Sequence, residues 1–233
     1  MNTKSQTIAE MFDRIAPTYD FLNRFLSGGT DQKWRKKAIS YLPQKSSLNI
    51  LDLCAGTLDL TLAALQARTD TSVTAFDLSP LMLEKGREKI PSDLQSRLQI
   101  IVGDGLDLSR FPVNTFDAVL CGFGMRNLGH NAEVLQQLSR ILKNSGRVIV
   151  LDFFRPTKTL GKLFYSTYGR WMIPLLGRWI SKDREAYDYF FQSIQSYHTD
   201  EEFCALLQRE KFQLISNLSL SRGVAHLIIG EKR

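Results

Sequence analysis

The feature that most constrains this chain begins at Asn49, where short apolar runs start to alternate with segments whose apolar residues recur at helical spacing. NILDLC (49–54) reads as a buried strand, AGTLD as a turn and LTLAALQAR as a helix. SVTAFDL (72–78) is a second strand, and SPLMLEKGREKI a helix opened by Ser79 as N-cap with Pro80 at the first helical position. LQIIVGD and FDAVLCGF (116–123) supply the third and fourth strands, AEVLQQLSRILKNSG a helix closed by Gly146, and RVIVLDFF (147–154) the fifth. Runs this apolar belong to strands buried on both faces, hence to a parallel sheet covered by helices on each side. FQLISNLSL and GVAHLIIGEK, joined by SRG, read as a hairpin. The expected fold is α/β and Rossmann-like: seven strands, mostly parallel, with a C-terminal antiparallel hairpin.

Residues 1–45 lack strand patterning. IAEMFDRIA and DQKWRKKAISYL carry apolar residues at helical spacing, which makes this segment an N-terminal helical arm or lid. The expected organisation is arm (1–45), core (46–154), a basic and aromatic insertion acting as substrate lid (155–205) and C-terminal strands (206–233), all within one structural domain, as 233 residues permit. Cys54, Cys121 and Cys204 are scattered and odd in number, so neither a disulfide framework nor a zinc site is expected. The chain shows no signal-like N-terminus and no apolar run of about 18 residues, and a cytoplasmic location is expected.

Net charge is +6, and residues 155–184 alone hold seven basic side chains against Asp183. Such a patch attracts phosphate, whether of nucleic acid or of lipid headgroups. Its interleaved aromatic and aliphatic residues, Phe164, Trp171 and Trp179 among them, suit an interfacial helix on anionic lipid; a lid packed on the sheet, with its charges solvated, is the other reading.

In open α/β sheets the ligand lies beyond the carboxyl ends of the strands, where strand order reverses. Two features mark that place. Asp52 and Gly56 belong to the turn Asp52-Leu53-Cys54-Ala55-Gly56-Thr57-Leu58-Asp59, whose small residues let a ligand approach the backbone. Asp77 ends the second strand, where a carboxylate accepts hydrogen bonds from a ribose diol and repels a 2′-phosphate. The turn lacks the full GxGxxG spacing, and Leu58 stands where a dinucleotide pyrophosphate needs a small residue, so S-adenosylmethionine is preferred over NAD. Asp104 is placed to meet the adenine amino group, and Gly105 leaves room for the ring. Cys121-Gly122-Phe123-Gly124 is open enough to floor the methionine portion; no Asn-Pro-Pro-Tyr type loop stands there, which argues against methylation of a nucleobase nitrogen.

The segment from Tyr19 to Trp34, YDFLNRFLSGGTDQKW, resembles the signature Tyr-Asp-x-x-Asn-x-x-Leu-Ser-x-x-x-His-x-x-Trp of the demethylmenaquinone and 2-polyprenyl-6-methoxy-1,4-benzoquinol C-methyltransferases. Phe123-Gly124-Met125-Arg126-Asn127, Arg140 to Lys143 leading to Asp152-Phe153, and Gly223-Val224-Ala225 are also similar, so the resemblance spans nearly the whole chain. Departures are Asp31 for the signature histidine, Leu58 in the cofactor turn, Gly122 for a serine, Asn144-Ser145-Gly146 for Pro-Gly-Gly, and Asp152 for a glutamate. The resemblance implies a class I S-adenosylmethionine-dependent fold in which Thr57, Asp77, Asp104 and Gly105 contact the cofactor. It implies a membrane-embedded prenylated quinol as substrate; the sulfonium methyl is already a strong electrophile, so no metal is expected, and the basic insertion suits peripheral contact with anionic lipid at the inner face of a membrane. Arg126 and Asn127 would orient the quinol oxygen and stabilise phenolate charge; Tyr19 and Asp20, on the N-terminal arm, are placed to close over the methyl donor.

His198 has the pKa of a general base, but a loop histidine before Thr-Asp is also a helix-start residue. Cys54 and Cys121 read as small core residues. Two rival readings stand beside quinol methylation: a methyltransferase acting on RNA or a soluble small molecule, and a non-catalytic binding module, for which Leu58 is the hint. No nucleic-acid partner is expected.

Overall fold

The computed structural model describes residues 3–157 and 184–233. Its strands are β1 (Asn49–Leu53), β2 (Ser72–Asp77), β3 (Leu98–Val102), β4 (Phe116–Gly122), β5 (Leu142–Asp152), β6 (Phe212–Leu220) and β7 (Ala225–Lys232). They form one sheet in the order β3-β2-β1-β4-β5-β7-β6. The first five are parallel, and β7 runs antiparallel to both β5 and β6. This is the expected seven-stranded arrangement. Strand order reverses between β1 and β4, so the ends of these two strands part and leave a crevice.

Alternation along each strand builds two cores. Leu51, Leu53, Val119, Cys121, Val148 and Val150 point to one face, where α7 (Asn131–Ile141) and α9 (Asp200–Arg209) bring Leu135, Leu138, Phe203 and Leu207. Ile50, Val73, Ala75, Ala118, Leu120 and Ile149 point to the other, against Trp34 and Ala38 of α3 (Asp31–Ile39), Leu60 and Ala64 of α4 (Asp59–Ala67) and Leu83 of α5 (Pro80–Glu88). Each large aliphatic side chain so buried contributes about 1.5–3 kcal/mol. The helix-start readings hold: the Ser79 hydroxyl accepts from the Met82 N–H, and Thr199 with Glu202 makes a capping box. His198 immediately precedes that cap, and its carbonyl accepts from the Arg155 N–H.

Two expectations are corrected. The arm contains three helices, not two: α1 (Thr3–Ile15), α2 (Tyr19–Ser27) and α3. Gly28, in left-handed conformation (φ 57°), ends α2 and lets the chain turn into α3. The helix expected to run to Gly146 stops at Ile141, and β5 begins at Leu142. Leu142 pairs with Phe116, Arg147 with Ala118, and the extra residues between form a bulge containing Ser145 at φ 58°. The buried side chain of Leu142 and the bond from Lys143 to Asp117 hold that extension on the sheet. The other helices are α6 (Met125–Leu128) and α8 (Arg184–Gln195). Most of the basic aromatic insertion, residues 158–183, lies outside the described residues.

Candidate active site

Where β1 and β4 part, the turn after β1 takes three left-handed residues, Cys54 (φ 56°), Gly56 (φ 52°) and Leu58 (φ 63°). A Cβ on Gly56 would meet nothing within 4 Å, so the backbone there faces open space. That space is a cleft open to solvent, its empty volume about 710 Å³ with the solvent at its mouth included. Its floor is Cys54, Gly56, Gly122, Phe123 and Gly124, its side wall Asp77, Leu78, Ser79, Asp104, Gly105 and Leu106, and its roof Ile8, Ala9, Phe12 and Tyr19 of the arm. A Cβ on Gly105 would lie 2.7 Å from a terminal methyl of Leu128, so a larger residue there would have to push that side chain aside.

The Asp77 carboxylate is aimed by the backbone: one oxygen accepts from the Gly56 N–H and the other from the Ser79 N–H, both at 2.8 Å. Burial pushes its pKa up, against those two hydrogen bonds. Asp104 lines the cavity and accepts from the Leu106 N–H at 2.9 Å. Among the nine site residues expected from sequence, Tyr19, Gly56, Asp77, Asp104, Gly105 and Asn127 line this cavity.

The other three stand behind it. Asp52 is buried and accepts from the Thr61 hydroxyl at 2.6 Å. Thr57 is also buried, and its hydroxyl donates to Asp20 of α2 at 2.5 Å. Asp20 in turn accepts from Lys89 at 2.6 Å, Lys89 pairs with Asp59 at 2.5 Å, and Asp59 with Arg35 at 3.3 Å. This chain of charges ties the arm to the cofactor turn. A second tie joins Asp13 of α1 to the start of α5, where it accepts from the Ser79 hydroxyl and, at 3.3 Å, from the Leu81 N–H.

Arg126 is the third. Its guanidinium bonds Asp152 at 2.8 Å and also the Phe123 carbonyl, donates to Ser193 at 3.3 Å, and lies over the rings of Phe153 and Phe190. Asp152 is 0 % exposed. Burial pushes the Asp152 carboxyl up while the guanidinium pulls it down; Arg126 keeps its proton, because its own burial, the largest single influence, is more than offset by the Asp152 charge and hydrogen bond together with the Tyr19 and Tyr189 phenols. Beside this pair, Asn127 accepts from the Tyr189 hydroxyl at 3.2 Å. Burial raises the pKa of Tyr19, so it faces the cavity as a neutral phenol. Cys54 is held as a thiol, first by its hydrogen bond with Cys121 and then by burial.

Sequence reasoning missed the roof residues of α1, although the helical spacing of IAEMFDRIA holds Ile8, Ala9 and Phe12 on neighbouring positions. It also missed the Lys89 and Asp59 link and the Tyr189 contact, which join residues far apart in the chain and leave no local pattern.

Leu58 departs from the expected small residue, yet its side chain turns away from the cavity and is 0 % exposed. Gly86 of α5 makes room for it: a Cβ there would lie 2.3 Å from Leu58 Cγ and 2.7 Å from the Thr57 carbonyl carbon. Gly86→Ala is therefore expected to destabilise the fold by about 1–3 kcal/mol and to displace the cofactor turn. Thermal melting and calorimetric titration with S-adenosylhomocysteine measure the two effects, and Leu58→Gly in the same chain should restore part of each.

Burial raises the Asp52 carboxyl to about 7, with Thr61 opposing. For an acid raised in the folded state, the stabilisation is complete below its unfolded pKa near ~3.9 and is lost as pH rises through the folded value. Asp52→Asn should thus gain stability relative to the parent chain between about pH 4 and 7, by a few kcal/mol at about 1.36 kcal/mol per unit, with the difference level at pH 8. Denaturant melts across that range would show a constant difference if Asp52 were ionised throughout.

A parallel sheet with an antiparallel last strand, an open small-residue turn after β1 and a cavity-lining carboxylate at the end of β2 define a class I S-adenosylmethionine-dependent methyltransferase. Residues 1–232 match the model of the ubiE/COQ5 methyltransferase family. The chain is 36% identical to the ubiquinone/menaquinone biosynthesis C-methyltransferase UbiE of Geotalea uraniireducens over 100% of this chain and 99% of the relative. It is 33% identical to the demethylmenaquinone methyltransferase of Bacteroides fragilis, over 98% and 94%. This chain belongs to the ubiE/COQ5 methyltransferase family. Similar solved structures include a possible histamine N-methyltransferase from Thermotoga maritima (TM-score 0.65, 16% identity, 96% and 100% covered) and the (4+2)-cyclase SpnF (TM-score 0.72, 13% identity, 98% and 96% covered). A cyclase among them shows that this fold alone does not settle the reaction.

Proposed function

We propose that this protein methylates a ring carbon of a prenylated quinol with S-adenosylmethionine, in the formation of menaquinone, ubiquinone or both. The observation that carries the reading is the full-length match to relatives so named, over a chain whose cavity presents Asp77, Asp104 and the open backbone of Gly56 to one ligand. Bound there, the cofactor would supply an electrophilic methyl group.

Asp77 accepts the ribose hydroxyls, Asp104 takes the adenine amino group, and Gly105 leaves the ring its space. Asp52 and Thr57 act from behind the cavity, holding the turn through Thr61 and Asp20. Tyr19, kept protonated, offers a hydrogen-bond donor from the roof. Asn127 reaches the quinol oxygen directly, whereas Arg126 lends its positive charge from the buried pair with Asp152 and favours the phenolate form of a hydroxyl otherwise titrating near ~10. A carbon nucleophile of this kind gains roughly 10²- to 10⁴-fold from assisted deprotonation. Phe123 stacks on Phe153 at 4.9 Å beside the cavity, an apolar surface suited to a flat ring.

No described helix is long and apolar enough to cross a membrane. A substrate carrying an isoprenoid tail is met at the bilayer surface, on the inner face, with peripheral contact to anionic lipid. The test is methyl transfer from labelled S-adenosylmethionine to a short-chain demethylmenaquinol and, in parallel, to total RNA. Label appearing in the quinol supports the reading; label only in RNA, or none despite normal cofactor binding, overturns it.

A further inference from the structure

α2 exposes two phenylalanines one helical turn apart. Phe21 is 58% and Phe25 51% accessible, and their rings stack with centroids 6.1 Å apart. Single exposed apolar residues are ordinary on soluble proteins, but a stacked exposed pair is a larger patch. Arg24, between them in sequence, is exposed too. After Gly28 and Gly29, α3 buries Trp34, Arg35 and Ala38 and turns Lys33, Lys36 and Lys37 outward, the last with its ammonium over the Tyr41 ring. The two carboxylates of the same stretch face inward. Asp20 is taken by Thr57 and Lys89, and Asp31 is buried beside Arg35 and Ser27. Between Phe21 and Lys37 the outward faces thus hold four cations, two large aromatic rings and no exposed carboxylate. At the start of the same α2, Tyr19 lines the cavity.

We propose that the outward faces of α2 and α3 dock on an anionic lipid bilayer. Phe21 and Phe25 enter the boundary of the acyl chains, and Arg24, Lys33, Lys36 and Lys37 meet the headgroups. Apolar side chains beside a cationic face are the composition of an interfacial helix, with both burial and charge contributing to binding. For its purpose the proposal rests on the quinol reading, since docking through the roof helix would open the cavity toward the phase that dissolves the tail. Docking itself needs no substrate, so its failure leaves methyl transfer standing.

The test uses the full chain and sedimentation with vesicles of phosphatidylcholine, with and without phosphatidylglycerol. Wild type is expected to partition onto the anionic vesicles and to be released by salt. Phe21→Ser with Phe25→Ser should weaken that partition about tenfold or more, and Lys33→Glu with Lys36→Glu should weaken it and flatten its salt dependence. Both variants should keep the circular dichroism spectrum, S-adenosylhomocysteine affinity and turnover of a water-soluble quinol. As a check without substitutions, anionic vesicles should slow amide exchange across residues 19–39 of wild type. Partition unchanged in both variants, with no slowing in α2 and α3, would overturn the proposal, as would absence of wild-type binding to anionic vesicles. A dimer that the phenylalanine changes dissociate, with vesicle binding unaltered, would assign the patch to a second copy of the chain instead.

Discussion

Asp77→Asn should weaken S-adenosylmethionine and S-adenosylhomocysteine binding about 100-fold while leaving the melting temperature within a few degrees of the parent. Hydrogen bonds to a charged group are worth about 1.5–3 kcal/mol each, and losing the charge beneath a ribose diol forfeits about two factors of ten. The fold tolerates the change because the carbonyl of the introduced amide would still accept one of the two backbone N–H groups now held by Asp77, those of Gly56 and Ser79. Affinity of the parent chain should also fall toward acid pH. Burial raises the free carboxyl, hydroxyl donors favour its ionised form, and protonation below the raised pKa removes what the ligand binds. Isothermal titration from pH 4 to 8 reads both effects. Unchanged affinity for Asp77→Asn, with a flat pH profile, would sink the assignment of this cavity to the cofactor.

Arg126→Ala should cost about 3–5 kcal/mol of stability, the penalty for leaving a buried charge unpaired. At roughly 2–4 °C per kcal/mol for a chain of this length, the melting temperature drops by about 10 °C. The pair is fully enclosed: Asp152 is 0 % exposed, and the guanidinium lies under Phe153 and Phe190. Stability loss alone does not separate a structural pair from one that assists the reaction, so Arg126→Met with Asp152→Leu is the informative variant. It removes both charges together, and stability should return to within about 1–2 kcal/mol of the parent. Turnover of a short-chain quinol should remain depressed at least about 10²-fold at neutral pH and recover partly as pH rises and the substrate hydroxyl ionises unaided. Full turnover in that double variant would remove Arg126 from the chemistry and leave it a packing role.

Local pattern went far with the core and less far at its edges. β1, β2 and β4 were readable because a strand buried on both faces must be apolar throughout, and Ser79 was readable as a cap because its hydroxyl satisfies a backbone donor three residues away. α2 was not, because a helix with two exposed phenylalanines lacks the polar outer face that marks an ordinary surface helix. The first residues of β5 were read as helix because Leu142, Lys143 and Asn144 continue a helical run, and only pairing with β4 across a bulge draws them into the sheet.

The site divides the same way. Gly56, Asp77, Asp104 and Gly105 follow their strands closely, so knowing the strands placed them at the crevice. For Leu58, Thr57, Asp52 and Arg126, tertiary structure decided. Which way each side chain turns depends on the space under Gly86, on Asp20 reaching from another helix, on Thr61 and on Asp152. Sequence alone settled the succession of the sheet's strands along the chain and the kind of cofactor, since periodicity and the chemistry of a strand end act over a few residues. Which groups face the cavity and which only hold them there was settled by packing, because a hydrogen bond or a filled space between residues dozens of positions apart exists only once the chain has closed on itself.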